Sequence, residues 1–168
     1  METVAVYQEE RVKVYGISRK VDLALGIISF PSHRAHVWGR RIMDFDLLIK
    51  RFELVTYHAS DKDRTELHLV YDCENSSMFG DTLRDLTKDE QETDVAFKQP
   101  VEILYLFGPH FQDRFGIADI AVNALTRNKT DIFVSGCSGT SMYFVTPEHQ
   151  SKDGLKTLTD TFLIPTTV

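Results

Sequence analysis

Hydrophobic and polar positions follow two kinds of spacing along the chain, and each kind predicts one type of element. Two-residue alternation, or a short apolar run between polar stretches, predicts strands at residues 12–17, 21–30, 53–59, 65–72, 101–107, 131–136 and 141–146. Apolar residues spaced by three and four predict helices at residues 35–50, 76–86 and 116–128, and a last helix that Pro147 opens. This mixture of strands and helices predicts an α+β protein.

The order strand–helix–strand–strand–helix occurs twice, which predicts an internal duplication. Four apolar pairs, one residue from each half, are separated by nearly the same distance along the chain: Ile28 with Leu106, Leu54 with Ile132, Leu69 with Phe144, and Leu83 with Leu158. The separation shortens between the second and third pairs, where residues 61–64 lengthen the first hairpin loop. Each half is thus predicted to be a βαββα unit. Such a unit closes as a ferredoxin-like (βαββαβ) layer, an antiparallel sheet with helices on one face.

Composition and charge narrow the class of protein further. The chain has 168 residues, of which 42% are hydrophobic and 26% charged, a mixture typical of a globular domain or of two small modules. Its net charge of −6 argues against a nucleic acid or an anionic membrane as partner. Two cysteines, Cys73 and Cys137, are too few for a disulfide scaffold. With no secretory signal or apolar span recognised, we expect a cytoplasmic protein with reduced thiols.

Three parts of the second half resemble a known module. Residues 107–118 (FGPHFQDRFGIA) resemble the strand–loop–helix entry of an ACT domain, in which a loop with an acidic residue leads into Gly-Ile-Ala at the helix start. Residues 124–125 with 131–135 resemble its helix end and second strand, and residues 140–145 its third strand. The tandem arrangement, with a strand before the first module, is similar to the C-terminal regulatory region of aspartate kinase.

This resemblance implies a domain organisation. The first ACT-type module covers residues 20–90, the second covers residues 11–18 plus 96–168, and residues 87–95 form a linker, so that the first module is inserted into the second. The first module departs from the pattern, because Ser-His-Arg-Ala-His-Val at residues 32–37 replaces the acidic loop and the Gly-Ile-Ala entry.

The resemblance also implies a function. ACT modules pair side by side and bind small amino acids at the shared interface. The implied protein is a regulatory one that binds an amino acid, forms a homodimer and acts on a biosynthetic enzyme, without a kinase domain of its own.

The loop before residue 116 has the chemistry of a site for a zwitterion. The first amides of a helix are unpaired and carry the positive end of its dipole, which suits a carboxylate. Gly116 allows close approach of a ligand, and Asp113 can accept an ammonium group. The candidate contacts are Gln112, Asp113, Gly116, Ile117, Ala118, Asp131, Ile132 and Ser135. A plainer interpretation is that Asp113 caps the helix and the glycine only turns the chain.

Other functions are weaker fits to the sequence. No cluster of nucleophile, base and oxyanion donors is recognised, so we expect no catalytic residue and no cofactor. His33 and His36 lack a third ligand, so no metal site is expected. Aromatic residues in the strands at 103–107 and 141–146 resemble an RNA-binding sheet but lack its basic residue. The alternative that stays open is a dimerisation module whose former ligand loop is packed shut.

Overall fold

The structure, a computed structural model, describes residues 11–45, 49, 51–61, 63–88, 90–108, 111 and 116–165. Within these residues the elements are β1 (Gly16–Pro31), α1 (Ala35–Phe45), β2 (Phe52–Asp61), β3 (Arg64–Asp72), α2 (Ser76–Thr87), β4 (Asp94–Phe107), α3 (Ile117–Arg127), β5 (Val134–Cys137), β6 (Ser141–Pro147) and α4 (Ser151–Thr161). Short 3-10 turns, Ser32–Arg34 and Cys73–Asn75, lead into α1 and α2. The predicted α+β class is confirmed.

The chain divides into two compact units. The central unit is Lys20–Glu102, and the split unit comprises Met1–Arg19 and Ile103–Val168. Hydrogen-bonded strands follow the order β2-β3-β1-β4 in the central unit and β1-β4-β6-β5 in the split unit, so β1 and β4 contribute residues to both. The pairs β1–β3, β2–β3 and β5–β6 are antiparallel. Each order is that of a ferredoxin-like layer, as predicted.

The core of the central unit forms because alternate strand residues face the apolar stripes of two helices. In β3, Leu67, Leu69 and Tyr71 share the face that packs against Trp38 of α1 and Phe79 of α2. Three aromatic rings make T-shaped contacts with Phe79 at centroid distances of 4.8–6.0 Å: Phe45, Phe52 and Tyr71. Burying each such side chain stabilises the fold by roughly 1.5–3 kcal/mol.

The split unit has its own core, built in the same way. Apolar residues of α3 at intervals of four, Ile117, Ala121 and Leu125, pack with residues of β4, β6 and α4. The helix α4 lies very close to β4, because a Cβ added to Gly154 would stand 2.7 Å from Leu104 Cδ1. A Cβ at position 154 would therefore require the buried Leu104 side chain to shift.

A basic residue forms hydrogen bonds with the carbonyl groups at the C-terminal end of α4. The Arg11 guanidinium donates hydrogen bonds to the carbonyl oxygens of Thr159 (3.1 Å), Asp160 and Phe162 (3.0 Å). The last carbonyls of a helix lack partners within the helix and carry the negative end of its dipole. Arg11 thus ties the chain before β1 to the C-terminus of α4.

The residue pairs that suggested a duplication occupy matching places in the two cores. In three pairs the central-unit residue is fully buried and its counterpart is at most 2% exposed: Ile28 and Leu106, Leu69 and Phe144, and Leu83 and Leu158. In the fourth pair, Leu54 and Ile132 are both half-buried. Equivalent burial at corresponding positions is what a duplicated module requires.

The predicted break between two early strands was wrong. A single strand, β1, runs from Gly16 through the expected break, because its charged residues have partners: Arg19 donates to Ser151 Oγ at 3.2 Å, and Lys20 forms an ion pair with Glu53 at 2.9 Å. Residues 12–14 lie before the strand and form an isolated parallel bridge, Lys13 with Leu163.

Three other boundaries differ from the sequence-based expectation. Strand β4 begins at Asp94 rather than at residue 101, because Val95 and Phe97 alternate with exposed residues and pack against the central core. Strand β5 begins at Val134, three residues later than predicted. Pro147 ends β6 instead of opening a helix, and α4 starts after a turn at Ser151.

Candidate functional site

The loop that resembles an ACT ligand loop is anchored to the β5–β6 turn. The Gly108 amide donates to the Thr140 carbonyl (3.0 Å), and the Phe111 amide donates to the Gly139 carbonyl (2.8 Å). Phe111 is 4% exposed and covers Gly108 so closely that an added Cβ would lie 2.3 Å from its ring. The start of the loop is therefore held by main-chain hydrogen bonds and by one buried ring.

Helix α3 begins at a glycine in the left-handed conformation. Gly116 has a φ of 86°, which favours glycine because other residues are strained there, and its carbonyl accepts the first helical bond, from Ile120 (2.9 Å). Gly116 supplies no side-chain cap to the helix. The amides of Ile117 and Ala118 thus lie at the positive end of the α3 dipole. Ile117 points into the core, whereas Ala118 is exposed.

The predicted contacts Gln112 and Asp113 lie outside the described residues, so their roles stay predictions. The remaining candidates do not all meet in one place. The Asp131 amide donates to Gln150 Oε1 at 2.7 Å, and Gln150 Nε2 returns a bond to Asp131 Oδ2 at 3.2 Å. In this arrangement Asp131 fastens the chain before β5 to the turn before α4, and Ile132 packs against the core of the split unit.

A cavity of about 120 Å³ lies between α3 and the β5–β6 pair. It brings together two of the predicted residues, Ala118 and Ser135. It also involves residues that sequence reasoning missed: Val122, Gly136, Cys137, Met142 and Phe144. Val122 could have been found because it is one helical turn beyond Ala118, and Met142 and Phe144 because they alternate on the core face of β6.

Two residues shape the β5 side of this cavity. Gly136 pairs directly with Tyr143 across the two strands, and a Cβ added there would lie 2.1 Å from Tyr143 Oη. The Tyr143 ring therefore covers the glycine, and a side chain at position 136 would require that ring to move. Burial raises the pKa of the Cys137 thiol, and that thiol donates to the Ser138 carbonyl at 3.3 Å.

The corresponding loop of the central unit has different chemistry. A polar cavity of about 350 Å³ adjoins the 3-10 turn before α1 and is lined by Pro31, Ser32, His33, Asp63, Arg64 and Glu92. The positively charged side chain in this lining already has partners: Arg64 donates to Ser29 Oγ (3.0 Å) and forms an ion pair with Asp94 (2.8 Å). The Ser32 amide donates a hydrogen bond to the Asp63 carbonyl (2.8 Å). No left-handed glycine precedes α1 at this loop, in contrast to α3.

Behind that loop, one carboxylate joins two arginines. Glu90 accepts from both nitrogens of Arg34 (3.2 and 3.1 Å), from Arg41 (2.6 Å) and from Thr93 (3.1 Å). Burial acts to raise the pKa of Glu90, but the hydrogen bonds from Arg41 and Thr93 and the two positive charges outweigh it and leave the pKa below its ordinary value. The Arg41 guanidinium also lies over the Trp38 ring, 4.7 Å from its centroid.

Two kinds of feature are missing from the described part of the chain. No group of three histidine, cysteine or acidic side chains there is arranged to hold a metal ion. None of the helices there has the length and apolar character needed to cross a membrane.

Comparison with known proteins identifies the fold. No family model and no curated protein matches the chain. The regulatory subunit of aspartate kinase from Thermus flavus matches with a TM-score of 0.77 at 12% identity, over 89% of this chain and 99% of that chain. Aspartate kinase from Synechocystis matches with a TM-score of 0.79 at 16% identity, over 95% of this chain and 29% of that chain. E. coli aspartokinase III in complex with lysine and aspartate matches with a TM-score of 0.58 at 16% identity, over 93% of this chain and 35% of that chain. These likenesses confirm, for the fold, the resemblance to the regulatory region of aspartate kinase.

Proposed function

We propose that this chain is a non-catalytic regulatory protein that binds an amino acid, an allosteric sensor of the aspartate kinase ACT type. The observation that carries the proposal is its fold, which matches nearly the whole length of an aspartate kinase regulatory subunit. A related fold in E. coli aspartokinase III was solved in complex with lysine and aspartate. An amino acid is therefore the class of ligand to test first.

The proposed site lies at the start of α3. The carboxylate of the ligand accepts from the amides of Ile117 and Ala118, where the left-handed Gly116 has no Cβ to block its approach. The ammonium group pairs with Asp113, and Gln112, the preceding residue in the sequence, is the other proposed contact from this segment. The hydroxyl of Ser135 faces the ligand from β5. The cavity that joins Ala118 to Ser135 supports this arrangement, in which no residue acts as a nucleophile.

The proposed organisation follows from the two units. Residues 20–90 form one ACT module, and residues 11–18 with 96–168 form the other, joined by residues 87–95. Among the strands that the structure describes, β2 and β5 each have one edge without a neighbouring strand, so pairing with a second copy at such an edge gives a homodimer. Light scattering that returns the mass of one chain would contradict the dimer.

The proposed setting is the cytoplasm. Both cysteines are free thiols, which is typical of a reducing compartment. The partner in this setting is a biosynthetic enzyme whose activity follows the amino acid.

Isothermal titration calorimetry against the twenty common amino acids tests the sensor. We expect saturable heat from at least one of them. Asp113→Asn should raise the dissociation constant about tenfold or more, because it removes a charged hydrogen-bond partner. The matched control is Asp153→Asn, an exposed aspartate in the first turn of α4 that does not line the cavity. Absence of heat with all twenty amino acids would refute the proposed function.

A further inference from the structure

The cavity beside β5 has a lining that restricts what it can hold. The described lining residues present methyl, thioether, thiol and aromatic surface with the single hydroxyl of Ser135, and none of them is charged. Met142 and Phe144 are each 2% exposed and belong to the core of the split unit. An ammonium or carboxylate group placed there would lose its water and gain no ion-pair partner from this lining, which is unfavourable. The cavity therefore suits an apolar group.

The size of the cavity sets a second limit. An apolar cavity of about 150 Å³ accommodates benzene, a molecule with six carbons. At about 120 Å³, this cavity holds a slightly smaller group, such as the side chain of leucine, isoleucine or methionine.

The position of the cavity connects it to the proposed ligand site. Ala118 belongs both to the first turn of α3 and to the cavity wall. A carboxylate held by the first amides of α3 therefore has the cavity directly beside it. In an amino acid only one carbon separates the carboxylate from the side chain, so the side chain can enter while the carboxylate stays at the helix.

We infer that the ligand of this site is an amino acid with an aliphatic or thioether side chain, namely leucine, isoleucine or methionine, whose side chain fills the cavity. This inference rests on the proposed function, since it assigns a ligand class to the same site. It separates this chain from a sensor of lysine or aspartate, whose charged side chains find no ion-pair partner among the described residues of the lining.

The thiol of Cys137 provides a direct test, because it is in the cavity lining and its residue is exposed. The full-length variant Cys73→Ser leaves Cys137 as the only thiol. The rate at which the Cys137 thiol is alkylated is measured at about pH 8.5, near the ordinary pKa of a thiol. At ten times its dissociation constant, L-leucine leaves about a tenth of the sites empty, so it should slow alkylation about tenfold. L-Lysine and L-aspartate at the same concentration should leave the rate unchanged.

A pair of matched variants shows whether the side chain occupies the cavity. Ala118→Phe places a ring at the mouth and should raise the dissociation constant of L-leucine about tenfold or more. Asn123→Phe adds the same ring at another exposed position of α3, which lines a separate groove, and should leave binding unchanged. Thermal unfolding followed by circular dichroism checks that both variants are folded.

The outcomes separate this inference from the proposed function. Binding of leucine, isoleucine or methionine, with protection of Cys137 and sensitivity to Ala118→Phe alone, supports it. If only polar or charged amino acids bind, or if leucine binds and leaves Cys137 unprotected, the inference is overturned and the proposed sensor stands. If calorimetry shows no binding of any amino acid, both are overturned.

Discussion

The carboxylate of Glu90 offers a quantitative test of how the central unit is held together. Its side chain is 11% exposed, and those of Arg34 and Arg41 are 28% and 23% exposed, so solvent screens these contacts only in part. A hydrogen bond to a charged partner contributes about 1.5–3 kcal/mol, and bonds that share one group do not add in full. Glu90→Gln removes the charge and leaves two guanidinium groups with a weak acceptor. We expect the free energy of unfolding to fall by about 2–3 kcal/mol.

The chain contains its own reporter for this measurement. Trp38 is the single tryptophan, is fully buried, and lies beneath Arg41. Urea unfolding followed by Trp38 fluorescence therefore reports on the unit that holds Glu90. The matched control is Glu92→Gln, an exposed residue of the same loop, which should change the stability by less than about 0.5 kcal/mol. Equal midpoints for the two variants would refute the reasoning.

The effect of Glu90→Gln on the free energy of unfolding should also depend on pH, in a defined direction. The folded pKa of Glu90 is depressed, so its contribution is fully present above its ordinary pKa of 4.5 and is lost as the pH falls through the folded pKa. The difference in stability between the wild type and Glu90→Gln should therefore be large at neutral pH and shrink in acid. A difference that grows in acid would contradict the assigned role of the arginines.

Three further perturbations address other parts of the fold. Arg11→Ala should lower the free energy of unfolding by about 1–2 kcal/mol, because the carbonyls at the end of α4 lose a charged donor; an unchanged urea midpoint would contradict this. Gly136→Ala should cost about 1–3 kcal/mol in the same assay, and adding Tyr143→Val should recover most of it; failure of that rescue would contradict the close contact. Burial, followed by the neighbouring charge of His58, lowers the pKa of His68 below its ordinary 6.5. Stability should therefore decline as the pH drops from about 6.5 toward the folded pKa, where the unfolded chain binds more protons; if His68→Gln leaves that slope intact in pH-dependent urea unfolding, another group causes it.

Local patterns in the sequence predicted most of the layered fold. The apolar stripe that contains Trp38 indicated the buried face of α1. The alternation in Leu67, Leu69 and Tyr71 indicated the buried face of β3. Both patterns report which face of an element is buried, whatever covers it. The glycine at the start of α3 was likewise predicted to allow close approach, and its left-handed φ of 86° fits that expectation.

Features that depend on contacts between distant residues were not predicted. Arg19 and Lys20 suggested a break in β1, because their partners Ser151, Glu53 and Asp72 are far away in the sequence. The candidate site illustrates the same limit. The Asp131 amide donates to the side chain of Gln150, which lies 19 residues later in the turn before α4, and neither segment alone predicts that bond. The cavity itself is lined from a helix and two strands, and no periodicity within a single element predicts its volume.

The division of the chain into a contiguous unit and a discontinuous one has a kinetic consequence. Residues 16–19 can meet β4 only when the whole of Lys20–Glu102 has been looped out, and closing so long a loop in a flexible chain is entropically costly. Folding of the central unit removes most of that cost, because it places β1 and β4 side by side. On the ribosome, Lys20–Glu102 can acquire its structure first, and the leading residues must wait for the last helix to emerge before their own unit is complete.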